Sequence, residues 1–437
     1  MICATDQQRK KYWGSEETRR TMGSYWKLLK KNSNFRNLWL ATVVSYAGDW
    51  FNLLASAALI NHLANGGVAV SYLFLARFLP LFFLSPFTGV LADRYDRKRI
   101  LILTDVLRAV TVFGFILVQV TGQIWLLYVL TIIQFSLSAL FSPTHSAVIP
   151  NVVETDDLVT ANALDGFTWS TMLAIGALLG GIATALFGIS LAFTIDALSF
   201  VWSAWFISRI TGPTRQGEAS HETHGLLDFV DGLRYLRDKP FILAISLVKA
   251  GGSLAWGAMN VLELPLAAHY FPLGDKGSIT LSIFYTMTGI GSGLGPLVVR
   301  RWLGDSQKAV LWGITGGFVM LTLGIYWIAM AGTLPVAAAA SLLRALGGGV
   351  VWVFSGALLQ MAVVDQFRGR VFAFEFAAFT LTQSIAILWA GLAQDQWGLD
   401  VRQVIYFTSF AGVGVLLLWL IFQFSIIYRQ RKPKAAH

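Results

Sequence analysis

About twelve stretches of mostly apolar residues follow one another along this chain, separated by short polar breaks. They lie near 38–63, 68–92, 99–121, 124–148, 160–185, 187–209, 241–268, 278–300, 308–331, 333–359, 369–394 and 401–428. A helix of about 20 such residues spans the hydrocarbon of a bilayer. The pattern therefore predicts an all-α polytopic membrane protein with twelve transmembrane helices. An even number of spans places both termini on one side.

The longest polar break, 210–240, divides the spans six and six. The predicted organisation is a segment 1–37, a six-helix bundle 38–209, a linker 210–240, a second bundle 241–428 and a tail 429–437. Within the linker, Leu226, Phe229, Val230, Leu233 and Leu236 share one helical stripe, with Asp231, Arg234 and Arg237 mostly opposite. That predicts an amphipathic helix lying on the membrane or under the bundle; a solvated linker helix is the plainer alternative. The halves also resemble each other weakly: "GVLADR" at Gly89 has a counterpart in "GPLVVRR" at Gly295, and "FSPTHSAVIP" one in "FSGALLQMAV". Pseudo-symmetric six-helix halves are a transporter architecture.

Composition sharpens the class. The 437 residues are 55% hydrophobic and 13% charged, with mean hydropathy +0.62; soluble domains are nearer a quarter charged. The net charge of +9 reflects topology. With the termini cytoplasmic, inside segments carry 27 of the 33 Lys and Arg, and outside loops only Lys276 and Arg402. The charge suits anionic lipid head groups, and no nucleic-acid partner is expected. Cys3 is the only cysteine, so neither an internal disulfide nor a cysteine metal cluster is available. The polar, basic first ~37 residues are not a secretory signal.

Nine charged residues within the apolar runs are the candidates for charge at bilayer depth: Asp49, Arg77, Asp105, Arg108, Asp196, Lys249, Glu263, Arg344 and Glu375. Charge at bilayer depth is costly and faces a cavity or a partner. Asp49, Arg77, Arg108, Lys249 and Arg344 lie about ten residues into their spans, near the midplane, and are the candidate cavity and proton-coupling residues. Asp49, in "YAGDWFN", is the favoured protonatable site. For Arg77, Arg108 and Arg344, static ion pairs that fix packing are an equal alternative. Asp105 and Arg108, three apart, share a face and can pair locally. Glu263, Asp196 and Glu375, toward span ends, are expected to be structural. Gly176, Gly180 and Gly181, and Gly291 and Gly295, predict close helix crossings, whether sliding or static. There is no metal-protease, nucleophile-elbow or nucleotide-binding motif. An enzyme, a cofactor and ATP-driven transport are therefore not expected.

The segment "GVLADRYDRKR" (Gly89–Arg99) resembles the loop signature of the major facilitator superfamily, with Gly89, Leu91, Asp93, Arg94, Arg97 and Lys98 in place and Asp96 where glycine is usual. Together with "LWLATVVSYAGDWF", "FTIDALSFVWSA" and "RGRVFAFEF", the chain resembles the branch containing macrolide-efflux proteins and the enterobactin exporter. Two departures stand out: Ala177 replaces the proline of the antiporter signature, and the fourth span has Gln134 but no arginine.

The resemblance implies alternating access by two bundles and proton-driven export of a bulky amphipathic molecule, drug-like or a siderophore, by a monomer in the plasma (inner) membrane. A lipid or lysolipid flippase, and a non-transporting receptor or assembly factor, are the alternatives. The loop cluster then reads as a conformational latch. Asp93 caps the start of the eleventh span near Arg368, and Arg97 pairs with Asp365 or Glu375. The plainer alternative is a topology anchor.

Overall fold

Bilayer-length apolar runs have one solution that pairs every backbone group within the run. The computed structural model takes it: twelve helices are long and apolar enough to cross a membrane, and no strand occurs among the described residues. Those residues are 22–64, 66–154, 157–212, 226–304 and 306–431. The side chains of 22–24, 85, 86, 89, 90, 92–94, 159, 226–230, 275, 365, 366, 368 and 426–431 lie outside the description.

The spans are helices Ser33–Leu63, Gly67–Arg94, Arg97–Thr121, Ile124–Val152, Leu158–Phe187 and Ile189–Ser208, then a seventh in three pieces, then Ser278–Leu303, Gln307–Met330, Leu334–Ala362, Asp365–Asp395 and Val401–Arg431. Polar residues at the breaks start them. Asn32 accepts from the Phe35 N–H (2.9 Å), Asp96 from the Arg99 N–H (2.8 Å) and Ser306 from the Ala309 N–H (3.1 Å). Each satisfies a donor that a helix start leaves open. Asp96 thus has a role of its own as the cap of the third span. The seventh span runs Pro240–Ser246, Val248–Trp256 and Met259–His269, interrupted at Leu247 and at Gly257 and Ala258.

Two shorter helices flank the spans. Met22–Lys31 was not foreseen; its Leu28 and Leu29 are buried with Phe35, Leu38 and Val152, while Trp26 faces outward beneath Lys30. The linker helix Leu226–Arg237 sits under the start of the eleventh span. Tyr235 stacks on Phe367 with ring centroids 4.3 Å apart, Asp231 lies 3.9 Å from Arg370, and Leu236 is buried.

Spans one to six pack on one another, as do seven to twelve. The two groups meet along two seams, second span against eleventh and fifth against eighth. Apolar side chains such as Val120, Leu186 and Leu418 project outward, as a lipid-facing surface requires. One end of the bundle holds the starts of the first, third and fifth spans; the distal end holds Leu63, Gly67 and Asp395.

Candidate functional site

The nine candidate charges do not behave alike. Asp49 and Arg77 line one cavity of about 170 Å³, together with Tyr46, Trp50, Phe135 and Trp169. Neither is in an ion pair among the described residues. The Arg77 guanidinium lies 4.5 Å above the Phe135 ring, and its Nη1 is buried without a hydrogen-bond partner among the described residues. Trp50 packs against Tyr285 of the eighth span, with ring centroids 5.4 Å apart, so the cavity adjoins the other half.

The other cations are engaged. Arg108 pairs with Asp105 on its own helix and is held between Phe141 and Phe200, at 4.1 and 4.4 Å. Ser203 of the sixth span donates to Asp105 at 2.6 Å. In the second half, Lys249 pairs with Glu375 at 3.2 Å beneath Trp352. Arg344 donates to Glu263 at 2.6 Å and to the Thr288 hydroxyl at 2.9 Å. Glu375 therefore stitches the seventh span to the eleventh. Asp196 is fully buried with neither carboxyl oxygen hydrogen-bonded among the described residues. Gly48 lets the first span press directly on Asp196 and Ser199.

At the loop signature, Arg97 donates to the Ala147 carbonyl (2.9 Å) and to Asn151 Oδ1 (3.2 Å), and Lys98 to the Ile210 carbonyl (2.7 Å). These bonds tie the loop to the fourth span and to the end of the sixth. The expectations placed on Gly89, Asp93, Arg94, Asp365 and Arg368 fall on side chains outside those described.

A helix cap between the halves does occur, at the opposite end. The Asp395 carboxylate, closing the eleventh span, accepts from the Gly67 N–H at 2.7 Å and the Val68 N–H at 2.9 Å, which open the second. An anion there meets unpaired donors and the positive end of the helix dipole. Nearby, Ser71 donates to the Ile387 carbonyl at 2.9 Å and Lys276 to the Asn61 carbonyl at 2.5 Å. Sequence reading passed over Asp395 because a carboxylate at a span end is commonplace; its signal was its position across from an uncapped Gly66-Gly67 helix start.

The glycines divide by location. Gly181 touches Ser282, Gly289 touches Ala174 and Gly391 touches Ser71, all across the seams. Gly176 and Gly180 face Trp50 and Phe51 inside the first half, and Gly291 and Gly295 face the tenth span inside the second. Of the expected crossings, only Gly181 bridges the halves.

A family model described as transmembrane secretion effector matches residues 24–427. A protein proposed as the bacilysin exporter BacE of Bacillus subtilis is 25% identical, over 81% of this chain and 87% of its own. An MFS-type transporter of Mycobacterium tuberculosis is 28% identical over 93% and 94%. Macrolide efflux protein A of Streptococcus pyogenes is 23% identical over 86% and 91%. Among solved structures, the nucleoside transporter NupG superposes with TM-score 0.70 at 13% identity, covering 89% of this chain and 98% of that one. A bacterial homologue of the iron transporter ferroportin, in an inward-facing state, gives 0.70 at 15%, over 88% and 97%. The twelve-helix architecture and the family match agree: the chain belongs to the transmembrane secretion effector family of major facilitator transporters, and it is not an enzyme.

Proposed function

We propose that the chain is a plasma-membrane exporter of small amphipathic molecules, working by alternating access and coupled to protons at Asp49. The observation that carries this reading is an unpaired carboxylate in a cavity beside the contact between the halves. Intramembrane carboxylates without a structural partner mark ion pathways. A cationic group of the substrate and a proton compete for the same oxygens, and that competition is the physical basis of exchange. Efflux-type relatives support export. With the termini inside, as the loop charges suggest, the bonds at Asp395, Ser71 and Lys276 close the outer end.

The test is flux in proteoliposomes with an imposed pH gradient, scanning a panel of macrolides and lipophilic amines. Wild type accumulates at least one compound in a gradient-dependent way, and Asp49→Asn does not. Equal gradient-driven flux in Asp49→Asn defeats the coupling assignment.

One observation favours the flippase alternative. A groove of about 640 Å³ between the second and fourth spans, with Tyr72, Pro80, Phe83 and Tyr128 in its wall, faces outward and is almost wholly apolar. Movement of a fluorescent lysolipid without any pH gradient, in the same vesicles, would select that reading.

A further inference from the structure

Asp49 and Arg77 pose an energetic problem. Both are half-buried in the cavity wall, each lies in the other's field, with Arg108 also acting on Asp49 and Asp196 on Arg77, and the two do not close into an ion pair. An isolated buried charge is expensive, and an ion pair relieves that only with good geometry. Elsewhere in this chain that geometry is reached, at Arg344 with Glu263 and at Lys249 with Glu375. An arginine has the length and freedom to find a carboxylate lining its own cavity. Here the guanidinium lies over Phe135 instead, lining the cavity with its Nη1 a buried donor that has no partner among the described residues, and a guanidinium is suited to a planar anion.

A ligand with one charge satisfies only half of this site. A cation neutralises Asp49 and leaves Arg77 uncompensated; an anion does the reverse. We infer that the cavity takes a zwitterionic head group, an ammonium on Asp49 and a carboxylate or phosphate on Arg77, with Trp50, Trp169 and Tyr46 walling the carbon between them. The volume fits a head group. About 170 Å³ is smaller than the roughly 300–1,000 Å³ of sites for drug-sized ligands, so the rest of a larger substrate lies outside the cavity. The inference rests on the proposed transport reading and narrows its substrate class. Two sources offer this chemistry: amino-acid or short-peptide ends, and zwitterionic lipid heads.

The experiment uses the purified full chain and three forms of one probe, leucyl-phenylalanine: the free dipeptide, its N-acetyl derivative and its C-terminal amide. Lysophosphatidylethanolamine is the fourth ligand. Binding is read by tryptophan fluorescence and by the shift in thermal unfolding. The dipeptide is expected to bind at least about tenfold tighter than either singly charged form. In Arg77→Gln it loses its advantage over the amide and keeps that over the N-acetyl form; in Asp49→Asn the converse holds. Arg77→Lys, keeping the charge, retains part of the preference, and its melting curve controls for folding. Tight lysolipid binding with the same dependence on both residues assigns the head group to lipid.

Equal binding of amide and dipeptide by wild type overturns the inference, as does binding of none of the four. These outcomes separate from failure of the transport reading. Gradient-driven flux of singly charged amines without zwitterion preference leaves the exporter standing and removes the zwitterion. Zwitterion binding without flux of any compound does the opposite.

Discussion

The two halves of this transporter use intramembrane charge differently. In the second half it links helices: Lys249 to Glu375 joins the seventh and eleventh spans, and Arg344 joins the tenth to Glu263 on the seventh and Thr288 on the eighth. In the first half the one closed pair among the described residues at this depth, Asp105 with Arg108, lies within a single helix. Asp49 and Arg77 face a cavity and close no ion pair among the described residues; buried polar atoms without partners occur in both halves and do not distinguish them. The contrast teaches that charge at bilayer depth serves either as a fastener or as a contact, and pairing across spans separates the two. The second half is the frame; the first carries the available chemistry.

The largest test of this division is to cut a fastener. Glu263→Ala leaves Arg344 buried and uncompensated, and is expected to cost about 3–5 kcal/mol, read as an earlier thermal unfolding of the purified protein. Glu263→Ala with Arg344→Ala should recover part of that loss. Next comes the junction between the halves. Asp395→Asn removes the charge from a helix cap and is expected to weaken closure of the distal end by about 1–2 kcal/mol. With Cys3→Ser and Asn61→Cys as background, the labelling rate at position 61 should rise by about tenfold; an unchanged rate would mean the cap does not hold that end.

Smaller still are the cavity charges. Asp49→Asn and Arg77→Gln break no closed pair, so each should cost well under the loss at Glu263→Ala while altering transport. If either melts as early as Glu263→Ala, the contrast between the halves collapses. The smallest effect belongs to the exposed pair of Lys31 and Glu154, 3.2 Å apart. Lys31→Ala should cost no more than about 0.5 kcal/mol, and a larger loss would show that exposed pairs also fasten the first half.

How much of this the sequence carried depends on distance along the chain. Spans are local, so twelve apolar runs gave twelve helices, with ends displaced where a capping residue such as Asn32 starts the turn before the apolar run begins. The seventh span was read as one helix because its interruptions, at Leu247 and at Gly257 and Ala258, fall inside an apolar run. The helix Met22–Lys31 is short and basic, and its buried Leu28 and Leu29 are outnumbered by lysines, so composition hid it.

At the site, depth within a span picked out Asp49 and Arg77, and the three-residue spacing showed Asp105 with Arg108. Partners far apart in sequence left no such trace. Lys249 and Glu375 are separated by 126 positions, and Arg344 and Glu263 by 81, so which cations were engaged waited on the packing. Asp196 shows the same limit. It was expected to be structural from its place toward a span end, and it is fully buried where Gly48 of the first span packs against it.

The cap at Asp395 is asymmetric under mutation. Its acceptor is one side chain, which many single substitutions abolish. Its donors are the backbone N–H groups of Gly67 and Val68, which every residue except proline supplies. Sequence drift at 67 and 68 is therefore tolerated in hydrogen bonding, though not in space, since a side chain at Gly67 would meet Gln394. This cap therefore depends on a single carboxylate, and substitutions that weaken it are expected to be far more numerous at position 395 than at 67 or 68.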